Sequence, residues 1–197
     1  MTAKQDVKAL IVQSATVFFS KYGFAKTTMD EIARHVHKAK GVLYYYFKNK
    51  EDLFNEVLKY ELGIVKNEIL KHVESGESSL TIFKQYFSTR LKLLHKAANY
   101  HETLKADFFQ KYHFVKDTRD EFVEFEREML TRLLNQARDE GYFTSPDIPK
   151  TVNILLMVAH SLEIPLYLQN KYDEYETTIL ELAEMIMNSL QHNKPHA

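Results

Sequence analysis

Residues 27–50 bring together side chains suited to gripping a phosphodiester backbone. Thr27, Thr28, Lys38, Lys40, Tyr44, Tyr45, Tyr46 and Lys50 fall within this one stretch, with Gly41 in its middle. Threonines at a helix start stand beside free backbone amides and the positive end of the helix dipole, a setting that favours an anionic phosphate. A plain N-cap has the same signature. Lysine ammoniums neutralise phosphates or reach acceptor atoms on base edges, and a tyrosine hydroxyl at the tip of a rigid ring suits a phosphate oxygen. A glycine lets the backbone approach another molecule closely. Three consecutive tyrosines cannot all lie on one buried helix face, so at least one of them needs a partner other than the core.

Other chemistries find less support. The absence of cysteine removes disulfides, thiolate zinc sites and cysteine nucleophiles together. His160-x2-Glu163 and Glu68-x3-His72 have the spacing of helical metal sites, but two isolated pairs do not make a ligand set. No glycine-rich phosphate loop, nucleophile elbow or paired zinc motif occurs, so neither catalytic residues nor a metal or cofactor is expected. Charge instead separates along the chain. Residues 1–50 carry nine Lys or Arg against three Asp or Glu, a net of +6, which leaves −7 for residues 51–197. A compact basic end on an acidic body is an electrostatic footprint of nucleic-acid binding, although a solvated charged face produces it too.

The elements that must position these residues are helical. Only five Gly and four Pro punctuate 197 residues, too few for the turns of a sheet-rich fold. Val7, Leu10, Ile11, Ser14, Ala15, Phe18 and Phe19 write one apolar stripe on a first helix that Gly23 should end. Thr28 with Glu31 has capping-box spacing, so a short second helix runs to about Val36. After a tight turn at His37-Lys38-Ala39, a two-turn helix from Lys40 to Phe47 buries Leu43 and Phe47 and exposes tyrosine. A long helix follows from Asp52 to Val73. Further helices are expected at Leu80 to about Asn99, Glu102 to Tyr112, Val115 to Glu140, Pro149 to Gln169 with a kink at Pro165, and Glu174 to Gln191. Gly141-Tyr142-Phe143 and Pro146 to Pro149 separate two of these. No apolar run approaches the roughly 18 residues of a membrane span, and the N-terminus lacks the apolar core of a signal peptide, so a cytoplasmic protein is expected.

Two short helices joined by a tight turn form a helix-turn-helix, whose second helix can enter the DNA major groove. The string Phe18-x4-Gly23-Phe24-x2-Thr27-Thr28-Met29-x2-Ile32-Ala33, followed by Gly41-Val42-Leu43-Tyr44-Tyr45-Tyr46-Phe47-x2-Lys50-x2-Leu53, resembles the N-terminal pattern of the tetracycline-repressor (TetR) family. Roughly the first 55 residues carry that resemblance. It departs at the turn, where the family's usual Ala-Gly-Val-Ser is replaced by Val36-His37-Lys38-Ala39, and at Val42, where Thr is usual.

The resemblance implies an all-α protein with a three-helix DNA-binding domain over residues 1–50, its motif at about 28–47, and a helical effector-binding and dimerisation domain over 51–197. It implies that Lys40, Gly41, Tyr44 and Tyr45 face the groove, with Lys40 on a base edge, and that Tyr44, Tyr46 and Lys50 contact phosphates. Effector-pocket candidates are Tyr86, Tyr100, His101, Phe108, Phe109, Tyr112, Phe122, Phe125 and His160, suited to a small apolar or aromatic molecule. Aromatic residues at helical spacing also make ordinary core. Apolar stripes with Leu155, Val158, Leu162 and Leu166 on one helix and Ile179, Leu182, Ile186 and Leu190 on the last fit a four-helix interface between two copies. The expected partners are therefore a second copy, double-stranded DNA with an inverted-repeat operator, and a small effector. The alternative is a helical structural or partner-binding protein whose basic end contacts something other than DNA.

Overall fold

A computed structural model describes residues 3–142 and 147–191, apart from the side chains of residues 3, 4, 109 and 189–191. Phe143, Pro146 and the side chains of Phe109 and Leu190 therefore lie outside the described residues. The regular elements are α1 (Ala3–Tyr22), α2 (Met29–His35), α3 (Lys40–Tyr46), α4 (Lys50–Val73), α5 (Ser79–Lys96), α6 (Ala98–Leu104), α7 (Ala106–Lys111), a 3-10 turn (His113–Val115), α8 (Lys116–Asp139), α9 (Ile148–Ser161), a π-helical turn (Ile164–Leu168) and α10 (Tyr172–Gln191). No strand occurs among the described residues. The chain forms two compact units, one of Met1–Gly63 with Ala97–Thr118 and the other of Ile64–Lys96 with Arg119–Ala197.

In the first unit α1 buries Ile11, Ala15 and Phe19, and Gly23, at φ 79, ends it. The chain then turns so that Phe24 enters a ring cluster. Its ring centroid lies 5.9 Å from Phe19, 5.1 Å from Phe54, 5.7 Å from Phe108, 4.9 Å from Tyr112 and 5.3 Å from Phe114. The expected capping box starts α2: Thr28 Oγ1 accepts from the Glu31 N–H, and Glu31 accepts from the Thr28 N–H at 2.9 Å. Buried Ile32 and Ala33 of α2 and Leu43 and Phe47 of the α3 segment close the small core.

The turn between α2 and α3 shows what the unusual Val36-His37-Lys38-Ala39 sequence does. His37 adopts φ 51, the left-handed conformation that glycine takes most easily. Ala39 occupies the N-cap of α3 and makes no side-chain cap bond. Both departures cost local stability: a left-handed non-glycine residue by about 1–2 kcal/mol, and a missing cap by about 1 kcal/mol.

Where one helix was expected from Glu102 to Tyr112, α6, α7 and a 3-10 turn appear. A long-range cap marks the start of α6, after the break from α5. The buried carboxylate of Glu61, on α4, accepts the backbone N–H of Asn99 at 3.3 Å and of Tyr100 at 3.0 Å, and the Asn99 amide at 2.7 Å. It thereby satisfies the first turn of α6, where Ala97 offers no side-chain cap. Burial pushes the Glu61 carboxyl above its ordinary range, against these hydrogen bonds.

The second unit is organised around buried charge. Arg90 of α5 donates through Nε to Glu126 of α8 and through Nη2 to Glu163 at 2.6 Å. Glu126 also accepts the Tyr86 hydroxyl at 3.0 Å, and its second oxygen meets His160 Nε2 at 3.0 Å. Pro165, expected to kink a helix, instead follows the end of α9 and sits in the π-helical turn, where Gln169 N–H reaches the carbonyl of Ile164. Glu163, just before this turn, is buried against Arg90. Ile148–Leu168 does reach the length and apolar composition of a membrane span, although polar residues interrupt its apolar run. It carries the buried Glu163 and the paired His160 within the unit, a common property of a core segment.

Two predictions follow from this chemistry. Burial raises the Glu126 carboxyl, but Arg90 and His160 outweigh it and hold the group at about 2 against an ordinary 4.5. Its stabilisation is therefore present above pH 4.5 and lost as pH falls toward 2. Glu126→Gln should cost about 3–5 kcal/mol near neutral pH and flatten that acid limb, measured by urea unfolding across a pH series; an unaltered limb would place the acid sensitivity elsewhere. In the turn, Ala39→Ser should supply the missing cap and raise unfolding free energy by about 1 kcal/mol, with His37→Gly adding about 0.5–1 kcal/mol. Unchanged denaturation midpoints for both would show that the turn carries no strain.

Candidate nucleic-acid interface

The short α3 exposes one face. Leu43 and Phe47 point inward, while Lys40, Gly41, Tyr44 and Tyr45 lie at the surface, with Tyr44 45% and Tyr45 68% exposed. Tyr46 is half-buried, edge-on to Tyr45 with centroids 5.0 Å apart. No heavy atom lies within 4 Å of the position a Cβ would take at Gly41, so nothing inside the protein requires glycine there. Lys38 is exposed in the turn, and Lys26, Arg34, His35, His37 and Lys48 are exposed on neighbouring segments. These residues form a surface able to offer cations, hydroxyls and a bare stretch of backbone to a large anionic partner.

Three of the expected contact residues are held by their own unit. Thr27 is 1% exposed, and its hydroxyl donates to the Gly23 carbonyl at 2.9 Å, locking the turn after α1. Thr28 is exposed, but Glu31 occupies the start of α2: Thr28 Oγ1 donates to the Glu31 carboxylate at 2.7 Å, and Thr28's hydrogen bonds hold that carboxyl below its ordinary range. Lys50 Nζ donates to the Phe24 carbonyl at 2.8 Å and stands 4.3 Å from the centre of the Phe24 ring. Burial lowers its pKa. Lys40 has a partner as well. Its ammonium pairs with Asp30 at 2.7 Å and lies 5.8 Å from the Tyr44 ring centre. The hydrogen bond to Asp30 raises the lysine's pKa. Sequence reasoning did not single out Asp30 or Glu31 as anions at this surface, because the Lys40 pairing runs across the turn between helices and the Glu31 carboxylate was read only as a cap.

The effector-pocket candidates divide between the units. Tyr100, His101, Phe108, Phe109 and Tyr112 belong to the first, where Phe108 and Tyr112 pack on Phe24. Tyr86, Phe122, Phe125 and His160 belong to the second. Tyr86 and His160 are engaged by Glu126, and the Phe125 ring lies 5.3 Å from Lys66 Nζ. The spacings that suggested metal ligands are used otherwise: Glu163 pairs with Arg90, Glu68 with Lys71, and His72 Nε2 meets Thr89 Oγ1 at 3.0 Å.

Of the interface candidates, Leu155, Leu166 and Ile179 are buried inside the second unit. Val158, Leu162 and Ile186 are half-buried and line a narrow apolar cleft with Phe87 and Leu91, and Leu182 is exposed at its edge. Ile154 of the α9 stripe faces solvent, and α9, the π-helical turn and α10 also carry solvent-facing apolar residues that the stripes did not single out: Met157, Ile164 and Met185. Met157 is 66% and Met185 67% exposed.

The segment that carries α2 and α3 is similar to known proteins. Residues 11–57 match the sequence model of the family described as bacterial regulatory proteins, tetR family. YhgD of Bacillus subtilis, an uncharacterised HTH-type transcriptional regulator, is 34% identical over 100 residues, 51% of this chain and 51% of that protein. IcaR of Staphylococcus aureus, the negative transcriptional regulator of the icaADBC biofilm operon, is 29% identical over 80 residues, 41% of this chain and 43% of its own. The chain thus spans about half the length of the relatives it matches. A transcriptional regulator from Cytophaga hutchinsonii shares the whole fold, with a TM-score of 0.80 at 24% identity over 93% of this chain and 97% of that one. The capped α2, the left-handed turn and the exposed α3 all lie inside the segment that matches the tetR family of bacterial regulatory proteins.

Proposed function

We propose that this chain is a sequence-specific DNA-binding repressor that works in the cytoplasm as a homodimer on an inverted-repeat operator. The observation that carries the reading is the solvent face of α3, where Lys40, Gly41, Tyr44 and Tyr45 sit outside a buried Leu43–Phe47 edge within the family-matching segment. In this reading α3 enters the major groove, Lys40 reaches base acceptors, and Tyr44 and Lys38 meet phosphates. Lys50 acts one step back, holding the Phe24 turn from which α2 and α3 are built. The relation to a negative regulator favours repression over activation.

The dimer surface in this proposal is the outward apolar set of α9 and α10, Ile154, Met157, Leu182 and Met185, since residues already buried in their own unit cannot meet a partner without unpacking. The effector in this proposal is a small apolar molecule, and the cleft lined by Leu155, Val158, Leu162 and Ile186 supports that class. A ligand there regulates DNA binding only through a difference in affinity between DNA-competent and DNA-incompetent states.

Selecting bound sequences from a random DNA pool tests the reading as a whole. The expected product is an inverted repeat whose half-sites lie about 34–36 Å apart, or a multiple of that; an unenriched pool would refute sequence-specific binding. Gly41→Ala separates stability from recognition. Replacing a helical glycine should raise unfolding free energy by about 0.5–1 kcal/mol while the new methyl group weakens operator binding. Undiminished affinity would remove the close backbone approach. For assembly, Met157→Glu and Met185→Lys should each give a folded monomer in light scattering at micromolar concentration, and persistence of the dimer in both would move the interface elsewhere.

A further inference from the structure

We infer that Asp30 is a positioning residue for DNA reading: by pairing with Lys40 across the helix-turn-helix it fixes the direction of the lysine that reads a base edge, and so sets sequence preference at the expense of raw affinity. The inference rests on the proposed DNA-binding function. Asp30 is the second residue of α2 and Lys40 the first of α3, and their side chains meet at 2.7 Å.

Stability does not account for this pair. Both side chains are more than half exposed, at 53% and 56%, where an ion pair contributes little. Non-specific affinity does not account for it either, because a carboxylate on a DNA-facing surface repels phosphates. What the pair supplies is direction. A lysine on its flexible four-carbon stem is a mobile point charge, whereas base readout needs the donor held to about 0.5 Å. The ammonium has three donors; Asp30 engages one and leaves two, the number that guanine O6 and N7 accept in the major groove. The Tyr44 ring, 5.8 Å from the same nitrogen, adds a second restraint from within α3. Asp30 also answers a local electrostatic conflict, since Lys40 places a cation at the positive end of α3, where Ala39 brings no capping oxygen.

The test compares the full chain with Asp30→Asn, Asp30→Glu, Lys40→Ala and the Asp30→Asn/Lys40→Ala double variant. Each is titrated with its selected operator and with scrambled duplex over a salt series. Asp30→Asn should bind scrambled DNA more tightly, steepen the log–log salt dependence by about one, and lose about tenfold of its preference at one base pair. Asp30→Glu, which keeps the charge and the pairing, should retain the preference. In the Lys40→Ala background, Asp30→Asn should change preference no further. An unaltered specificity ratio in Asp30→Asn overturns the inference, as does an equal loss of preference with Lys40 absent, which would make Asp30 a general electrostatic or folding residue. A wild-type chain without sequence preference overturns it together with the proposed function, and an effect of Asp30→Asn alone is separable from that outcome because wild type is measured on the same two duplexes.

Discussion

The unit that holds α2 and α3 depends on the placement of Phe24. Its ring meets Phe19, Phe54, Phe108, Tyr112 and Phe114 with centroids between 4.9 and 5.9 Å, and its carbonyl is held by Lys50. Aromatic pairs at such separations add about 0.5–1.5 kcal/mol each beyond the area they bury. The cluster therefore ties α1, the turn before α2, the start of α4 and the segment around α7 into one body. Two details keep the ring in register. Gly23 allows the left-handed turn that drives Phe24 inward, and the Thr27 hydroxyl closes the same turn on the Gly23 carbonyl. Without that fixed turn, α2 and α3 have too few buried residues of their own, mainly Met29, Ile32, Ala33, Leu43 and Phe47, to hold an orientation.

The second unit solves a different problem. Burying Arg90 with Glu126 and Glu163 takes three charges out of water, and the attraction between them repays much of that cost without guaranteeing a net gain. The geometry explains more than the energy does. Arg90 has one carboxylate from α8 and another from the residue before the π-helical turn, so α5, α8 and the end of α9 can pack in one register without leaving a buried charge unpaired. An all-apolar seam would accept neighbouring registers more readily. His160, half-buried at the edge of the network, is where its chemistry comes nearest to solvent.

Much of the family-matching segment was legible from local signals. The Thr28–Glu31 box, the stop at Gly23 and the Leu43–Phe47 pair act within four residues and appear as expected. What sequence could not disclose were interactions between residues far apart. Thr27 reads as a cap yet is buried, Lys50 reads as a surface cation yet faces Phe24, and the break before α6 is linked to Glu61, 38 residues before Asn99. The apolar stripes of α9 and α10 were visible, but their strongest members, Leu155 and Ile179, serve their own core. Helices with apolar residues on two faces defeat a stripe analysis, which finds the denser face and leaves Met157 and Met185 unremarked. Aromatic density gave no sign that Phe108 and Tyr112 pack on each other, with ring centroids 4.8 Å apart.

The charge of the recognition surface has to be counted after pairing. Residues 1–50 carry a formal +6, yet Lys40 is matched by Asp30, Lys8 by Glu56, and the Lys50 ammonium is turned to a carbonyl. The exposed cations without an ion pair among those described, such as Lys38 and Lys48, lie on the turn before α3 and just after it, while the start of α3 carries a matched pair. In the proposed reading, such an arrangement separates the two tasks of a DNA-binding protein. Under the proposed function, unmatched charge at the edges would attract any duplex, and the paired, directed group at the centre would discriminate among sequences. The strained, uncapped turn fits the same division. His37 at φ 51 and Ala39 at the uncapped N-cap forgo the local stability that glycine and serine would give, and the turn presents the exposed His37 and Lys38 side chains next to α3.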